Sequence, residues 1–152
     1  VRVMGRTATG VRGIKLRSTD YVIGGASLAA NEHVLVVSEK GYGKKTLAEE
    51  YSIKHRGGFG VKTANISEKS GKLAGILVTD GSEDLLIMTN QGVAIRIDSN
   101  DIPESSRATL GVKVIRMNSD SIVSSVTKII AEEDDADDLE ESIEESESNS
   151  AE

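Results

Sequence analysis

The sequence predicts an all-β fold in which four-stranded blades repeat along the chain. Three observations support this prediction: a sequence repeat of about fifty residues, short apolar runs rich in Val, Ile and Leu, and turn residues at the ends of those runs. Apolar runs bounded by Gly, Asn, Asp or Ser are typical of strands joined by tight turns. A repeat of this length indicates a solenoid or a propeller-like array.

The clearest repeat is the pattern R-x-x-x-G-V-[KR]. It occurs three times, and its glycines are Gly10, Gly60 and Gly111, so that the spacings are 50 and 51 residues. A turn glycine recurs with the same offset at Gly41 and Gly92. We expect both of these turns to close β-hairpins in which glycine supplies a positive φ. Features that share one period indicate one structural unit used several times.

The apolar runs predict the strands in order. We expect strands at the N-terminal VRVMGR and at Val34–Val37, Val61–Ile66, Leu73–Val78, Leu85–Met88, Val93–Ile97, Val112–Ile115 and Ile122–Ile130. The segment LAEEY has room for one helical turn, because glycines follow and precede it closely. About two and a half blades then fit into the chain, whereas a closed ring needs about 4 to 8. We therefore expect further blades upstream, in a longer protein.

Charge divides the chain into a body, residues 1–131, and a tail, residues 132–152. The tail carries 12 of the 25 acidic residues and no Lys or Arg. The body carries all 18 basic residues and 25 − 12 = 13 acidic ones, a net charge of +5. We expect the tail to be disordered, because it has too few large apolar side chains to offset chain entropy. A basic body indicates a polyanionic partner, and an acidic tail would compete with that partner for the body. The alternative, which we weigh equally, is that the tail only increases solubility.

Composition argues against catalysis in this chain. There is no Cys, and the two His have no carboxylate or second His at metal-ligand spacing. The segment GYGKKT resembles a phosphate-binding loop, but Ser38 replaces its first Gly and Lys45 replaces its Ser or Thr. We therefore expect no catalytic residue, no metal and no cofactor. No apolar run approaches the roughly 20 residues of a membrane span, and we expect a cytoplasmic protein.

The repeated cations predict a DNA interface. We expect one basic cluster per blade, formed by Arg6, Arg12, Lys44, Lys45, Arg56, Lys62, Arg96, Arg107 and Lys113. A curved track of Lys and Arg suits the backbone of duplex DNA, because neutralised phosphates release counterions and give sequence-independent affinity. Three Tyr and one Phe are too few for single-strand binding by base stacking. The alternative is a propeller-type protein-interaction module whose charged loops are only solvated.

Three segments closely resemble the C-terminal domain family of the DNA gyrase A subunits: VRVMGRTATGVRGIKL, VLVVSEKGYGKKTLAEEY and HRGGFGVKT. The resemblance extends from Val1 to Ile130. It implies a β-pinwheel, a relative of the propeller, that wraps double-stranded DNA around its rim. The implied partners are the remainder of the A subunit, which is dimeric, together with the B subunit of an A2B2 type IIA topoisomerase. The implied ATP and Mg belong to that B subunit.

One stretch, Lys54–Gly60, looks like a degenerate copy of the family's box Q-R-R-G-G-K-G. Its matches are Arg56, Gly57, Gly58 and Gly60. Its departures are Lys54, His55 and Phe59, which stand where the box has Gln, Arg and Lys. The resemblance therefore implies that the box and the DNA-cleaving tyrosine lie upstream. The A subunit of topoisomerase IV, which has a related and more degenerate pinwheel, is the alternative relative.

Overall fold

The structure, a computed structural model, describes residues 2–130, and the predicted disordered tail lies outside the described residues. Seven strands are present: β1 His33–Ser38, β2 Tyr42–Leu47, β3 Leu73–Thr79, β4 Glu83–Thr89, β5 Ala94–Asp98, β6 Val112–Lys113 and β7 Val123–Ile130. Two 3-10 turns of three residues follow β2 and β5, at Ala48–Glu50 and Ser99–Asp101. No helix in this part of the chain has the length and apolar character needed to cross a membrane.

The strands form two antiparallel sheets that repeat one arrangement. Sheet one has the order β3-β1-β2-β6, and sheet two has the order β5-β4-β7. The hairpin β1–β2 recurs as β4–β5: His33 pairs with Leu47 in the first, and Asp84 pairs with Asp98, each 51 residues later, in the second. β3 beside β1 recurs as β7 beside β4. The predicted period is therefore present in the strand pairing.

Glycine turns close both hairpins, as the sequence predicts. Gly41 and Gly92 have φ values of 76° and 78°, a left-handed conformation that costs other L-residues roughly 1–2 kcal/mol. A register shift also recurs, between Val37 and Ser38 in β1 and between Met88 and Thr89 in β4. The two hairpins thus share the same turn glycine and the same register shift.

The core lies between the two sheets, where β3 packs on β7. Its fully buried residues are Leu35, Val37, Leu85, Ile87, Ile102, Ile115 and Val123. Glycine lets successive units approach closely: a Cβ on Gly24 would lie 2.7 Å from Ile76 Cγ2, and one on Gly75 would lie 3.1 Å from Val126 Cγ2. Each buried aliphatic side chain contributes roughly 1.5–3 kcal/mol, so the two sheets stabilise each other.

Two strand predictions are wrong. Within residues 2–130 no strand precedes β1, and Val61–Ile66 does not form a strand. The copy of that segment in the next repeat is β6, which is a strand because Val112 and Lys113 pair with β2. Among the described residues no strand pairs with Val61–Ile66. A strand pattern without a neighbouring strand therefore stays irregular.

Candidate nucleic-acid interface

The three R-x-x-x-G-V-[KR] copies form loops that share a left-handed turn at the glycine before the valine, and we call them the first, second and third basic loops. Their glycines, Gly10, Gly60 and Gly111, have φ values of 86°, 74° and 86°. Only glycine adopts this region without a steric cost. The repeated glycine therefore reflects one turn geometry used three times.

Lys44 lies in the interior and not on the surface. The residue is 0% exposed, and its Nζ donates hydrogen bonds of 2.7 Å to the carbonyl oxygens of Ser106 and Arg107. Burial lowers the pKa of Lys44, the Glu50 carboxylate acts against this change, and the Arg107 charge adds to it. The ammonium therefore fastens the third basic loop to β2. The prediction that Lys44 faces DNA is wrong, and we remove it from the interface.

Arg107 connects the second and third repeats. Its backbone N–H donates to Glu50 Oε2 at 2.7 Å, and its guanidinium donates to the carbonyl oxygen of Lys62, 45 residues earlier. The exposed Nζ of Lys62 in turn donates to Asn65 Oδ1 at 2.9 Å. A guanidinium carries five N–H donors, so one bond to the backbone leaves capacity for a phosphate. The structure thus brings two predicted contact residues together.

The first and second basic loops are paired through their backbones. Gly57 N–H donates to the Gly13 carbonyl oxygen at 2.9 Å, and Lys15 N–H donates to the Gly58 carbonyl oxygen at 2.8 Å. Arg12 precedes Gly13 and Arg56 precedes Gly57, and both arginines are exposed. Two of the predicted DNA contacts are therefore neighbours on one surface.

Two further cations belong to this surface. The ring of Phe59 is flanked by Lys15, whose Nζ lies 5.0 Å from the ring centroid, and by Arg17, whose Cζ lies 5.6 Å away. Cations over an aromatic face are attracted by about 0.5–1 kcal/mol at exposed sites. The motif reasoning missed Lys15 and Arg17, because they lie outside the repeated pattern and meet Phe59 only across the paired loops.

The other predicted contacts differ in their surroundings. Arg6 and Lys113 are exposed, and Lys45 is half-buried on β2. Arg96 on β5 is exposed but its Nε lies 2.5 Å from Asp84 Oδ2. A neighbouring carboxylate reduces the attraction of Arg96 for a phosphate, so this residue is the weakest member of the predicted set.

Positive charge is concentrated in the earlier part of the described chain. Residues 2–31 and residues 51–72 each contain five basic residues and one acidic residue, a net charge of +4. Residues 102–122 contain three basic and two acidic residues, a net charge of +1. The hairpins follow the same trend: residues 33–47 have a net charge of +2 (three Lys, one Glu), and residues 84–98 have −1 (one Arg, two Asp).

His33 has a carboxylate neighbour that sequence spacing did not reveal. Its Nε2 lies 3.0 Å from Glu104 Oε2, a residue 71 positions further along the chain. The pair connects β1 to the segment beside β2. Among residues 2–130 no group of three or more His, Cys, Asp or Glu is arranged to hold a metal ion.

The repeating antiparallel sheets and the basic loops between them define a propeller-like repeat domain with a cationic surface. A family model described as the DNA gyrase C-terminal domain, beta-propeller, matches residues 1–28, 32–80 and 83–129. The chain belongs to this family. The predicted fold class and the predicted family are therefore both confirmed.

Individual relatives agree with the family match. The chain is 46% identical over 144 residues to the DNA gyrase A subunit of Staphylococcus aureus strain MRSA252, and the alignment covers 93% of this chain and 16% of the relative. The same protein of strain NCTC 8325 is 47% identical over 137 residues, with coverages of 89% and 15%. The chain therefore spans about one sixth of the length of these curated relatives.

Two solved structures share the fold. A DNA gyrase A C-terminal domain superposes with a TM-score of 0.78 at 27% identity, over 86% of this chain and 44% of that chain. The C-terminal domain of a DNA topoisomerase IV superposes with a TM-score of 0.74 at 26% identity, over 80% and 38%. Both type II topoisomerase classes named from the sequence thus occur among the structural relatives.

Proposed function

We propose that this chain binds duplex DNA through the phosphate backbone and wraps it as part of a DNA gyrase. One observation carries the proposal: a gyrase C-terminal domain fold presents exposed cations on successive basic loops. The proposed contacts are Arg6, Arg12, Lys45, Arg56, Lys62, Arg107 and Lys113, with Arg96 as a weak contributor and Lys15 and Arg17 as additions. Contacts of this kind carry no sequence information but position the duplex.

The physical requirement for wrapping is a set of distributed contacts. Smooth bending of a 20–30 bp site by 40–90° costs on the order of 1–6 kcal/mol. Contacts on several loops in succession offset this cost at many points along the duplex. The pairing of the first two basic loops, and the bond from Arg107 to the Lys62 backbone, keep neighbouring contacts at fixed separations. Fixed separations suit a polymer with regularly spaced charges.

DNA affinity measured against salt concentration tests the binding. For each phosphate neutralised, the slope of log affinity against log salt changes by about −0.9, so several contacts give a steep negative slope. Ligation of nicked circles with the protein bound then measures wrapping as a change in linking number. A flat salt slope would instead favour a protein-interaction module, and an unchanged linking number would mean binding without wrapping.

The proposed role in the whole enzyme extends beyond this chain. We infer that it works in the cytoplasm with the remainder of a dimeric A subunit, together with a B subunit that holds ATP and Mg. The test is supercoiling of relaxed plasmid by the reconstituted enzyme, with and without residues 1–131. Loss of supercoiling with retained relaxation supports the role, and undiminished supercoiling contradicts it.

The second candidate is a topoisomerase IV subunit, because the C-terminal domain of a DNA topoisomerase IV superposes on this chain with a TM-score of 0.74. The same reconstitution separates the two, because a topoisomerase IV would relax and unlink DNA without introducing negative supercoils.

The acidic tail has a separate test. Removing residues 132–152 takes away twelve acidic residues, and tighter DNA binding at low salt would identify the tail as a competitor; unchanged affinity would identify a solubilising tail.

A further inference from the structure

A second cationic surface lies at the turn of the β1–β2 hairpin. It is a pocket of about 270 Å³. Its principal lining residues are Lys40, Tyr42, Lys69, Lys113, Ser119 and Ser121. Lys113 is one of the predicted DNA contacts, so the pocket is continuous with the proposed interface.

The three lysines come from three different repeats and line one pocket together with Tyr42. Lys69 Nζ lies 5.6 Å from the centroid of Tyr42. Lys113 is the residue opposite Tyr42 in the β2–β6 pairing. Lys40 Nζ donates a hydrogen bond of 2.5 Å to the carbonyl oxygen of Glu68, the residue that precedes Lys69 in the chain. The fold therefore assembles a triple positive charge that no single segment of sequence contains.

The acidic side chains nearby do not line this pocket. Glu39 Oε2 accepts a hydrogen bond of 2.9 Å from the backbone N–H of Lys72, and Glu68 contributes its carbonyl oxygen. Asp120 is exposed and is not among the lining residues. Three ammonium groups that line one pocket form a site for an oxyanion, because each ammonium offers three donors and a full charge.

The equivalent position in sheet two shows that the fold does not require this charge. The hairpin residues 51 positions after Lys40 and Tyr42 are Gln91 and Val93. Lys69 lies third in a turn closed by a bond from Ser70 N–H to the Ser67 carbonyl oxygen, and Asp120 lies third in the matching turn that begins at Asn118. The same scaffold is therefore basic at sheet one and neutral or acidic at sheet two.

We propose that the pocket formed by Lys40, Lys69 and Lys113 binds a backbone phosphate of duplex DNA. This inference rests on the proposed DNA-binding function and adds to it an anchor shared by three repeats. Because the residues 51 positions after Lys40 and Lys69 are Gln91 and Asp120, the positive charge of the pocket is not repeated in sheet two. The DNA path along the described residues is thus asymmetric although the strands repeat.

Lysine footprinting on the intact protein that contains this chain tests the assignment directly. A brief acetylation, read by mass spectrometry with and without a mixed-sequence duplex, reports which ammonium groups the DNA covers. We expect Lys40, Lys69 and Lys113 to be protected at least several-fold and Lys128 on β7 to remain reactive. Inorganic phosphate at the same phosphate concentration serves as the second arm, and we expect it to protect none of them.

The outcomes separate this proposal from the broader one. Duplex binding without protection of Lys40 and Lys69 overturns the pocket assignment and leaves the proposed function intact. Failure of the duplex to bind at low salt overturns the proposed function itself. Saturable protection by inorganic phosphate but not by the duplex would identify a small-anion site and would also overturn the assignment.

A charge-matched pair of variants gives an independent measurement. We expect Lys40→Gln with Lys69→Gln to reduce the salt slope of DNA affinity by about one unit, because the pocket neutralises one phosphate. Lys72→Gln with Arg116→Gln removes the same charge at exposed positions outside the pocket, and we expect a smaller change in slope. Equal changes in the two double variants would show that only net charge matters and would refute the pocket.

Discussion

The second and third basic loops have the same motif and the same backbone turn, but different surroundings. The third loop packs against the β1–β2 hairpin: a Cβ on Gly111 would lie 2.5 Å from the carbonyl oxygen of Gly43. In the second loop the nearest atom to a Cβ on Gly60 would be Ile14 Cδ1, at 3.8 Å. A repeated motif therefore specifies a local conformation, and a distant hairpin decides whether that conformation is packed.

The apolar residues of the two loops show the same difference. Phe59 in the second loop is 56% exposed, whereas its counterpart Leu110 is half-buried. An open groove of about 820 Å³ lies beside the second loop, with Leu16, Tyr21 and Val61 in its lining. In sheet one, the hairpin β1–β2 fills the corresponding space between β3 and β6. The comparison predicts that the third loop is the more stable one.

Alanine at the motif glycine is the strongest test of this comparison. We expect Gly111→Ala to lower the free energy of unfolding by about 2–5 kcal/mol, the sum of left-handed strain and a backbone clash. Gly60→Ala, with the strain but without the clash, should cost about 1–2 kcal/mol. Denaturant unfolding of both variants measures the difference. Equal losses would mean that the third loop moves away at little cost and that its packing is unimportant.

The next largest effect concerns the ammonium that fastens the third loop. We expect Lys44→Met to lower the free energy of unfolding by about 2–4 kcal/mol, because it abandons two charge-assisted hydrogen bonds to carbonyl oxygens. Ile95 is the counterpart on β5, where the register repeats 51 residues later. Ile95→Met is the matched control and should cost less than about 1.5 kcal/mol. Similar losses in thermal unfolding would contradict a fastening role for Lys44.

Arginine truncation separates DNA contact from loop attachment. Arg56→Ala and Arg107→Ala should each reduce the salt slope of DNA affinity by about one and weaken binding uniformly across sequences. Arg107→Ala should also lower the melting temperature, because Arg107 donates to the Lys62 backbone, whereas Arg56→Ala should leave it unchanged. A loss confined to one DNA sequence would argue against phosphate contact for either residue.

The smallest predicted effect lies in sheet two. Burial opposes ionisation of Glu83, but hydrogen bonds from Lys128 and Thr79 outweigh it, and the pKa of Glu83 lies below its usual 4.5. A lowered pKa in the folded state contributes stability above pH 4.5 that is lost as pH falls through the folded value. Because Lys128 is well exposed, the contribution is about 0.2–1 kcal/mol.

Glu83→Gln should therefore make the acid side of the stability profile shallower, below pH 4.5, with little change at neutral pH beyond the loss of the pair. Denaturant midpoints measured across this range give the profile, and the exposed Glu68→Gln serves as control. A profile that Glu83→Gln leaves as steep as before would place the acid sensitivity elsewhere.

Much of the fold could be predicted from local sequence. The hairpin glycines Gly41 and Gly92 and six of the seven strands follow from patterns within a few residues, because turn geometry and alternating burial are short-range properties. The segment Val61–Ile66 could not be judged in this way. Its identity as a strand depends on a neighbour that its own sequence does not describe, as the pairing of β6 with β2 shows.

The candidate interface shows the same contrast between features set by local sequence and features set by distant segments. The repeat, the three basic loops, the excess of positive charge in the body and the family are all visible in the sequence. The burial of Lys44, the bond from Arg107 to the Lys62 backbone, and the pocket that Lys40, Lys69 and Lys113 share with Tyr42 are visible only in the folded chain. The cause is distance along the chain. Backbone turns depend on neighbouring residues, whereas the exposure of a charged side chain and the groups around it depend on segments that meet only after the sheets have formed.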